Sequence, residues 1–379
     1  MNSEPGKIFI IAGESSGDMH AASLLTELKK SFPGMTAKGI GGQKLKAAGA
    51  ELIFDKSKVS YIGFSAVIKN IRKLKKIIND TKNFILKFEP DILILVDFPG
   101  FNLKIASCIR KSFKGKIVYY ISPQLWAWHK SRVRIIRETV DLMIVVFPFE
   151  VDFYKKENVK ANFVGHPLVK RTDTFLSANK KEESKKLTVS FMPGSRKDEI
   201  RIMMPVMRET AELFKKEFDC DINIICSDNF ELSFYKPYLK DSKFNLVRSD
   251  GDDGLNYKTI LNSDLVITKS GTSTMECALI GTPFCVVYKT GAFNYAVGKR
   301  LIQVDHIAMI NILLGRTAVK EFLQDKMQPQ DIFEEGKKIL TDKEYRNEML
   351  LSFKELRNVL TEKDASVNAA KMIAELMKD

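Results

Sequence analysis

Short apolar runs alternate with helical patterns along most of this chain, and that alternation restricts its fold more than any other feature. A continuous apolar run of about 4–8 residues between turn signals suits a strand buried on both faces, as in parallel sheets with helical crossovers. In the first half the runs are Lys7–Ala12, Ile92–Val96, Ile117–Ile121, Leu142–Phe147 and Phe163–Val164. A helix with Leu24, Leu25 and Leu28 on one face follows the first. A second series runs through Leu187–Met192, Ile222–Cys226, Phe244–Val247, Leu265–Thr268 and Phe284–Tyr288, and beyond Asp331 the pattern is wholly helical. A chain of 379 residues exceeds one ordinary core. The expected fold is therefore α/β, with two tandem Rossmann-like domains, a ligand cleft between them and a helical C-terminal tail. The expected boundaries are 1–170, 187–335 and 336–379, with a return of the tail to the first domain left open, and the polar stretch Lys170–Lys186 reads as linker.

Composition narrows the setting. Met1–Gly6 is polar without an apolar h-region, so no signal peptide is expected, and the longest apolar stretches are too short to span a bilayer. The cysteines Cys108, Cys220, Cys226, Cys277 and Cys285 contain no CxxC pair, which argues against a zinc site or disulfide framework and for a reducing cytoplasm. A net charge of +13 suits nucleic acid, a phosphorylated substrate or an anionic membrane surface, and equally a lysine-rich solvated surface.

Several loops carry chemistry. GESSGD, Gly13–Asp18, stands where a phosphate loop belongs, but it lacks GxGxxG spacing and sets two carboxylates at a helix N-terminus, where they compete with an anion. Asp18 reads as that helix's cap. Glu14, placed before the cap, suits sugar hydroxyls or a charge relay. In DILILVDFPGFN, Asp97 ends a buried strand at the sheet edge where α/β proteins place their chemistry, and Asn102 can cap the following helix. Asp97 is thus a candidate general base, with a turn-bonding role as the alternative.

The second half offers two phosphate-ready loops. In FMPGSRKDEI, Gly194 and Ser195 allow close backbone approach, and Arg196 adds a forked cation. In KSGTSTMECALIG, Ser270, Gly271, Thr272, Ser273 and Thr274 open a helix as an anion cradle, and Glu276 in the first turn is placed for ribose hydroxyls; the alternative is a well-capped helix. Asp250 and Asp252 have DxD spacing but read as a turn with a helix cap, and His20, His129, His166 and His306 show no ligand spacing. Over Ser57–Phe88 an apolar loop with Tyr61, Ile62 and Phe64 precedes a helix whose stripe is Val67, Ile71, Leu74, Ile78 and Ile85. Lys69, Arg72, Lys73, Lys75, Lys76 and Lys82 crowd its other faces. This pairing suits a membrane-surface site, against the ordinary alternative of a core helix with a solvated face; interleaved aromatics for nucleic acid are missing.

Taken together, IIAGESSGDMHAA, GIGGQKLKAAG, IGFSAVI, PDILILVDFPGFN, YYISPQLWAWHKSRV, VVFPFEVDFY, FVGHPL, MPGSRKDEI, SGTSTMECALIGTPFCVVYK and NILLGRTAVKEFLQ resemble, in order, the lipid A disaccharide synthase family. The resemblance runs from Lys7 to about Gln330. It implies an inverting, metal-independent glycosyltransferase of the two-Rossmann GT-B type, needing no cofactor. The implied substrates are UDP-2,3-diacylglucosamine and 2,3-diacylglucosamine 1-phosphate (lipid X), joined through a β-1,6 bond with release of UDP. By motif it implies essential roles for Asp97 and Arg196, a first-loop role for Glu14 and a place near the nucleotide for Asn311. It also implies a peripheral position on the cytoplasmic face of the inner membrane and leaves a homodimer open. SPQLWAWHK and AMINILLG depart from the family's frequent SPSVWAWRQ and SLPNLLAG, which bears on local contacts and acyl-chain preference. The competing readings are a MurG-like transferase, a non-hydrolysing UDP-sugar 2-epimerase, or a basic peripheral membrane protein that binds nucleotide without turnover.

Overall fold

A computed structural model describes residues 6–55, 67–127, 130–251, 253–291, 295, 305–360 and 364–378, without the side chains of residues 15, 67–71 and 253. The chain divides into two compact units, one of Met1–Pro167 with Glu362–Asp379 and one of Leu168–Thr361.

The first unit is built on a parallel sheet of β1 (Lys7–Ala12), β2 (Thr36–Gly41), β3 (Glu51–Asp55), β4 (Ile92–Val96), β5 (Lys116–Tyr120), β6 (Leu142–Val145) and β7 (Ala161–Phe163). Their order across the sheet is β3-β2-β1-β4-β5-β6-β7. Because side chains alternate along a strand, Phe9 and Ile11, Leu93 and Leu95, Ile117 and Tyr119, and Met143 and Val145 share one buried face. Ile78 and Ile85 of helix Val67–Phe88 and Phe101, Ile105 and Ile109 of helix Pro99–Ile109 complete that core. Elsewhere in the unit helix Ser15–Ser31, with Leu24, Leu25 and Leu28 fully buried, packs against the last helix, Ala365–Leu376.

The second unit repeats the plan with β8 (Leu187–Met192), β9 (Cys220–Cys226), β10 (Asn245–Arg248), β11 (Leu265–Lys269), β12 (Phe284–Tyr288) and β13 (Glu321–Leu323). The order is β10-β9-β8-β11-β12-β13, again parallel. Helix Pro329–Thr341 is joined to helix Lys197–Glu217 by an edge-on contact of Phe333 and Phe214, centroids 5.0 Å apart. Phe353 of helix Lys343–Leu360 stacks on Phe284 of β12. The α/β fold with two Rossmann-like sheets and a helical C-terminal region is the expected one.

Three strands were not visible as apolar runs. β2 reads TAKGIG, and Gly39 is required there because a Cβ would stand 2.1 Å from the Ile10 carbonyl oxygen of β1. β3 is an edge strand with no fully buried residue, and β13 has only three residues. The expected linker is partly helix: residues 170–178 lie in helix Pro167–Ala178, which buries Leu168, Val169 and Thr172. Its polar residues face outward or pair within the second unit, as Arg171 does over the Tyr257 ring at 4.9 Å.

The basic segment separates into two parts. Ile78 and Ile85 are core, and Leu74, Ile77, Phe84, Leu86 and Phe88 pack against it. The described part of the apolar stripe is therefore the ordinary core face of an amphipathic helix. Arg72, Lys73, Lys75 and Lys76 are exposed on its other side. Tyr61, Ile62 and Phe64, and the side chains of Val67, Lys69 and Ile71, lie outside the described residues.

Candidate active site

In both sheets the strand order reverses beside the first strand, so β1 lies between β2 and β4, and β8 between β9 and β11. Open α/β sheets bind ligands outside the strand carboxyl ends at such a switch point. The loops that emerge there are Gly13–Asp18 and Asp97–Pro99 in the first unit, and Gly194–Arg196 and Ser270–Thr274 in the second.

Asp97 leaves β4 with φ 45°, and Phe98 follows at 49°, both left-handed. For residues other than glycine such conformations cost on the order of 1–3 kcal/mol each. The compensation is local: the Asp97 carbonyl accepts from Tyr119 Oη and Asn102 Nδ2, each at 2.7 Å, and the Asp97 N–H donates to Tyr120 O at 3.1 Å. At about 0.5–1.5 kcal/mol per hydrogen bond these three match the strain. Gly13 makes room for the turn, since a Cβ there would lie 2.3 Å from the Phe98 ring. Pro99 then opens helix Pro99–Ile109 with a preset φ. Asn102 does not cap that helix as expected: it is fully buried and donates back to Val96 O and Asp97 O, with Phe98 at the N-cap.

Asp97 is half-buried, and the protein around its carboxyl raises the pKa to about 7. Desolvation is the largest cause and the negative charge of Glu14 the second, opposed by a hydrogen bond from the Phe98 N–H. Glu14 is exposed and is itself the N-cap residue of helix Ser15–Ser31, without a side-chain capping bond. Asp18 is a cap, but for a different helix. Its buried carboxylate accepts from the N–H groups of Gly42, Lys44 and Leu45 at 2.6, 3.2 and 3.2 Å, at the start of helix Gln43–Ala47.

In the second unit, Gly194 has φ 109° and Gly271 φ 152°, values that suit glycine. Arg196 projects with its side chain 69% exposed and one guanidinium nitrogen 3.3 Å from Glu199 Oε1. The hydroxyls of the second loop serve the protein: Ser270 Oγ donates to Ile307 O, Ser273 Oγ pairs with Thr268 Oγ1, and Thr274 Oγ1 donates to Gly271 O. The exposed residues of this loop are Gly271 and Thr272. Glu276 lies one turn further along helix Thr272–Ile280 than expected and accepts from Tyr257 Oη at 3.1 Å.

Asn311 has another task. Its Nδ2 donates to Val319 O and Glu321 Oε1, and its Oδ1 accepts from the N–H groups of Ala318 and Val319. Both donors and both acceptor sites of the amide are used, so Asn311 shapes the loop and offers a ligand no polar atom. Asp250 belongs to a left-handed turn that Asp228 holds through Ser249, Asp250 and Gly251, and it pairs with Arg248; Asp252 lies outside the described residues. His20 and His166 are buried, and the His166 imidazole is pushed down to about 3 by desolvation and then by His20. His306 stands 3.7 Å from Glu321, and His129 is not among the described residues. Among the described residues no group of three or more His, Cys, Asp or Glu side chains could hold a metal ion.

The supports were missed in the sequence, except Asn102, which was read there as a helix cap. Tyr119 and Asn102 clamp Asp97, Glu321 binds the Ile307 and Ala308 N–H groups, and Glu199 with Lys269 forms an ion pair of 3.0 Å at the second switch point. Only Lys269, a charge ending an apolar strand directly before SGTST, carried a legible signal.

Two parallel Rossmann-like sheets, each with candidate site loops at its switch point, place the chain in the class of GT-B folds. In fold the chain is similar to MurG of Acinetobacter baumannii, with TM-score 0.58 at 12% identity over 98% of this chain and all of that one. It is also similar to the UDP-GlcNAc 2-epimerase of Neisseria meningitidis, with TM-score 0.66 at 14% identity over 98% and 100%. The lipid-A-disaccharide synthetase family model matches residues 8–375. The lipid-A-disaccharide synthase of Nitrosococcus oceani is 37% identical over 99% of this chain and 96% of its own length. That of Syntrophus aciditrophicus is 34% identical over 98% of each. The chain belongs to the lipid-A-disaccharide synthase family and is a glycosyltransferase of lipid A synthesis, with a sugar nucleotide and a lipid acceptor as its substrates.

Proposed function

We propose that the enzyme transfers 2,3-diacylglucosamine from its UDP ester to the 6-hydroxyl of 2,3-diacylglucosamine 1-phosphate, with inversion at the anomeric carbon. The Asp97 carboxylate takes the hydroxyl proton as O6 bonds to C1 from the face opposite UDP; the C1–O bond breaks and its electron pair leaves with UDP. One carboxylate suffices, unlike the pair of an inverting glycosidase, because a diphosphate departs without protonation when its charge is stabilised. Arg196 and the backbone N–H groups at the start of helix Thr272–Ile280 supply that stabilisation, so the reaction needs no metal. Glu14 tunes Asp97 through its charge. The observation that supports this reading best is the Asp97 carboxyl, held on a strained strand end and shifted to about 7, where a general base is most effective.

The test combines the two substrates with pure protein and follows UDP release and the product's anomeric configuration by NMR, in magnesium and in excess EDTA. The expected result is acceptor-dependent UDP release, a β-linked disaccharide and equal rates in both buffers. An α-linked product would overturn the inverting mechanism, and loss of activity in EDTA the metal-free one.

The lipid substrates place the work at a membrane surface. No helix among the described residues is long and apolar enough to cross a bilayer. We assign the exposed Arg72, Lys73, Lys75 and Lys76 to contact with anionic headgroups at the cytoplasmic face of the inner membrane. Each cation near such a surface contributes about 1 kcal/mol, weakened by salt. Binding to anionic liposomes should fall as sodium chloride rises, and replacing Arg72, Lys73 and Lys76 with glutamine should remove most of the salt-sensitive part. Unchanged flotation of that variant would move the membrane face elsewhere.

A further inference from the structure

We infer that Lys269 is a second cation for the donor's diphosphate, stored against Glu199 until the nucleotide arrives. The inference rests on the reading of the second unit as the donor unit.

Lys269 is the last residue of β11, the strand beside β8 at the switch point. Its stem runs between the two glycine turns that end these strands. A Cβ on Gly194 would lie 3.0 Å from Lys269 Cδ, and one on Gly271 would lie 3.3 Å from its Cε. Both glycines have positive φ, which a side chain at either position would strain, and at Gly194 a Cβ would also meet Glu199 Oε2 at 2.7 Å. The Lys269 stem is thereby set between the Gly194 and Gly271 turns, whose loops open the two helices at this switch point. With a side-chain exposure of 17% Lys269 is the more sheltered of the site's two cations, against 69% for Arg196.

Glu199 explains how a cation so placed is held. Its side chain is 10% exposed, and it sits in the first turn of helix Lys197–Glu217. It accepts from Lys269 Nζ at 3.0 Å, from Arg196 at 3.3 Å and from the Ser195 N–H at 3.4 Å. These donors, two cations and a loop N–H, are the set a phosphate oxygen would use. The carboxylate thus stands in for the anion. A diphosphate brings more negative charge to the same donors, so Lys269 Nζ turns toward it while the stem stays gripped by the glycine turns.

The alternative is that Lys269 only neutralises Glu199, and removing a partner of a buried pair perturbs the site by itself. A double substitution separates the two. UDP, UMP and uridine binding would be measured by calorimetry on the wild type, Lys269→Met, Glu199→Gln and the combination. Wild-type protein should bind UDP, and failure there would overturn the donor-unit reading itself. Lys269→Met should weaken UDP about 10- to 100-fold, the size of a lost charge-assisted hydrogen bond, with uridine unchanged. Glu199→Gln should bind UDP as well as or better than wild type, since a competing negative charge is gone. The double variant should remain at least about tenfold weaker than Glu199→Gln alone. Recovery of wild-type affinity in the double variant would reduce Lys269 to a counter-ion, and an equal loss for uridine would reduce it to a structural support; either overturns the inference.

Discussion

Asp97→Asn is expected to slow turnover at least about a hundredfold, within the range of roughly 10²–10⁴ for loss of a general base. The amide has the carboxylate's shape but cannot take the proton of the attacking hydroxyl. The fold should survive, because Tyr119 and Asn102 grip the Asp97 backbone carbonyl, which the substitution leaves in place. UDP affinity should stay close to that of wild type, since the donor loops belong to the other unit. Steady-state rates with saturating substrates, with UDP calorimetry as the control, measure both. A variant that keeps more than about a tenth of the wild-type rate would remove Asp97 from the role of base.

The second large effect is on pH. A base acts only when ionised, and the Asp97 carboxyl ionises at about 7, not at the ordinary 3.8. Below that value kcat/KM should fall about tenfold per pH unit, to roughly a hundredth of its plateau near pH 5. An unshifted aspartate would leave the same range flat. The phosphate monoester of the proposed acceptor titrates near pH 6 as well, so the limb alone does not identify the group. Glu14→Gln does. Removing a negative neighbour makes Asp97 easier to ionise, so the limb should move to lower pH. It should still lie above the ordinary carboxylate range, because desolvation, the larger cause, persists. A limb that stays in place in Glu14→Gln would assign the titration to the substrate.

The candidate site was legible in part. Asp97 stood out because a carboxylate directly after DILILV has little reason to end a buried strand, and Arg196 because it follows a glycine turn. Asp18 and Asn102 were legible as polar residues near helix starts, and Asn311 only through the family resemblance, but their partners were not. Asp18 bonds N–H groups 24 to 27 residues away, and Asn311 closes a loop onto Val319 and Glu321. A capping residue has the same local signature whether it serves its own helix or another.

What the amino-acid order determined alone was therefore local. It placed the strongly apolar strands β1, β4, β8, β11 and β12, the helical stretches between them and the turn residues at their ends, because burial on both sheet faces selects continuous apolar runs. Weak strands escaped it, as with β2, whose Gly39 is dictated by a carbonyl of a different strand. Only the tertiary structure decided which strand ends meet. Setting β1 against β4 brings Glu14 within electrostatic reach of Asp97, and setting β8 against β11 joins Glu199 to a lysine 70 residues away. Desolvation and charge pairing depend on such through-space neighbours, and a strand pairing leaves no periodic trace in either segment it joins.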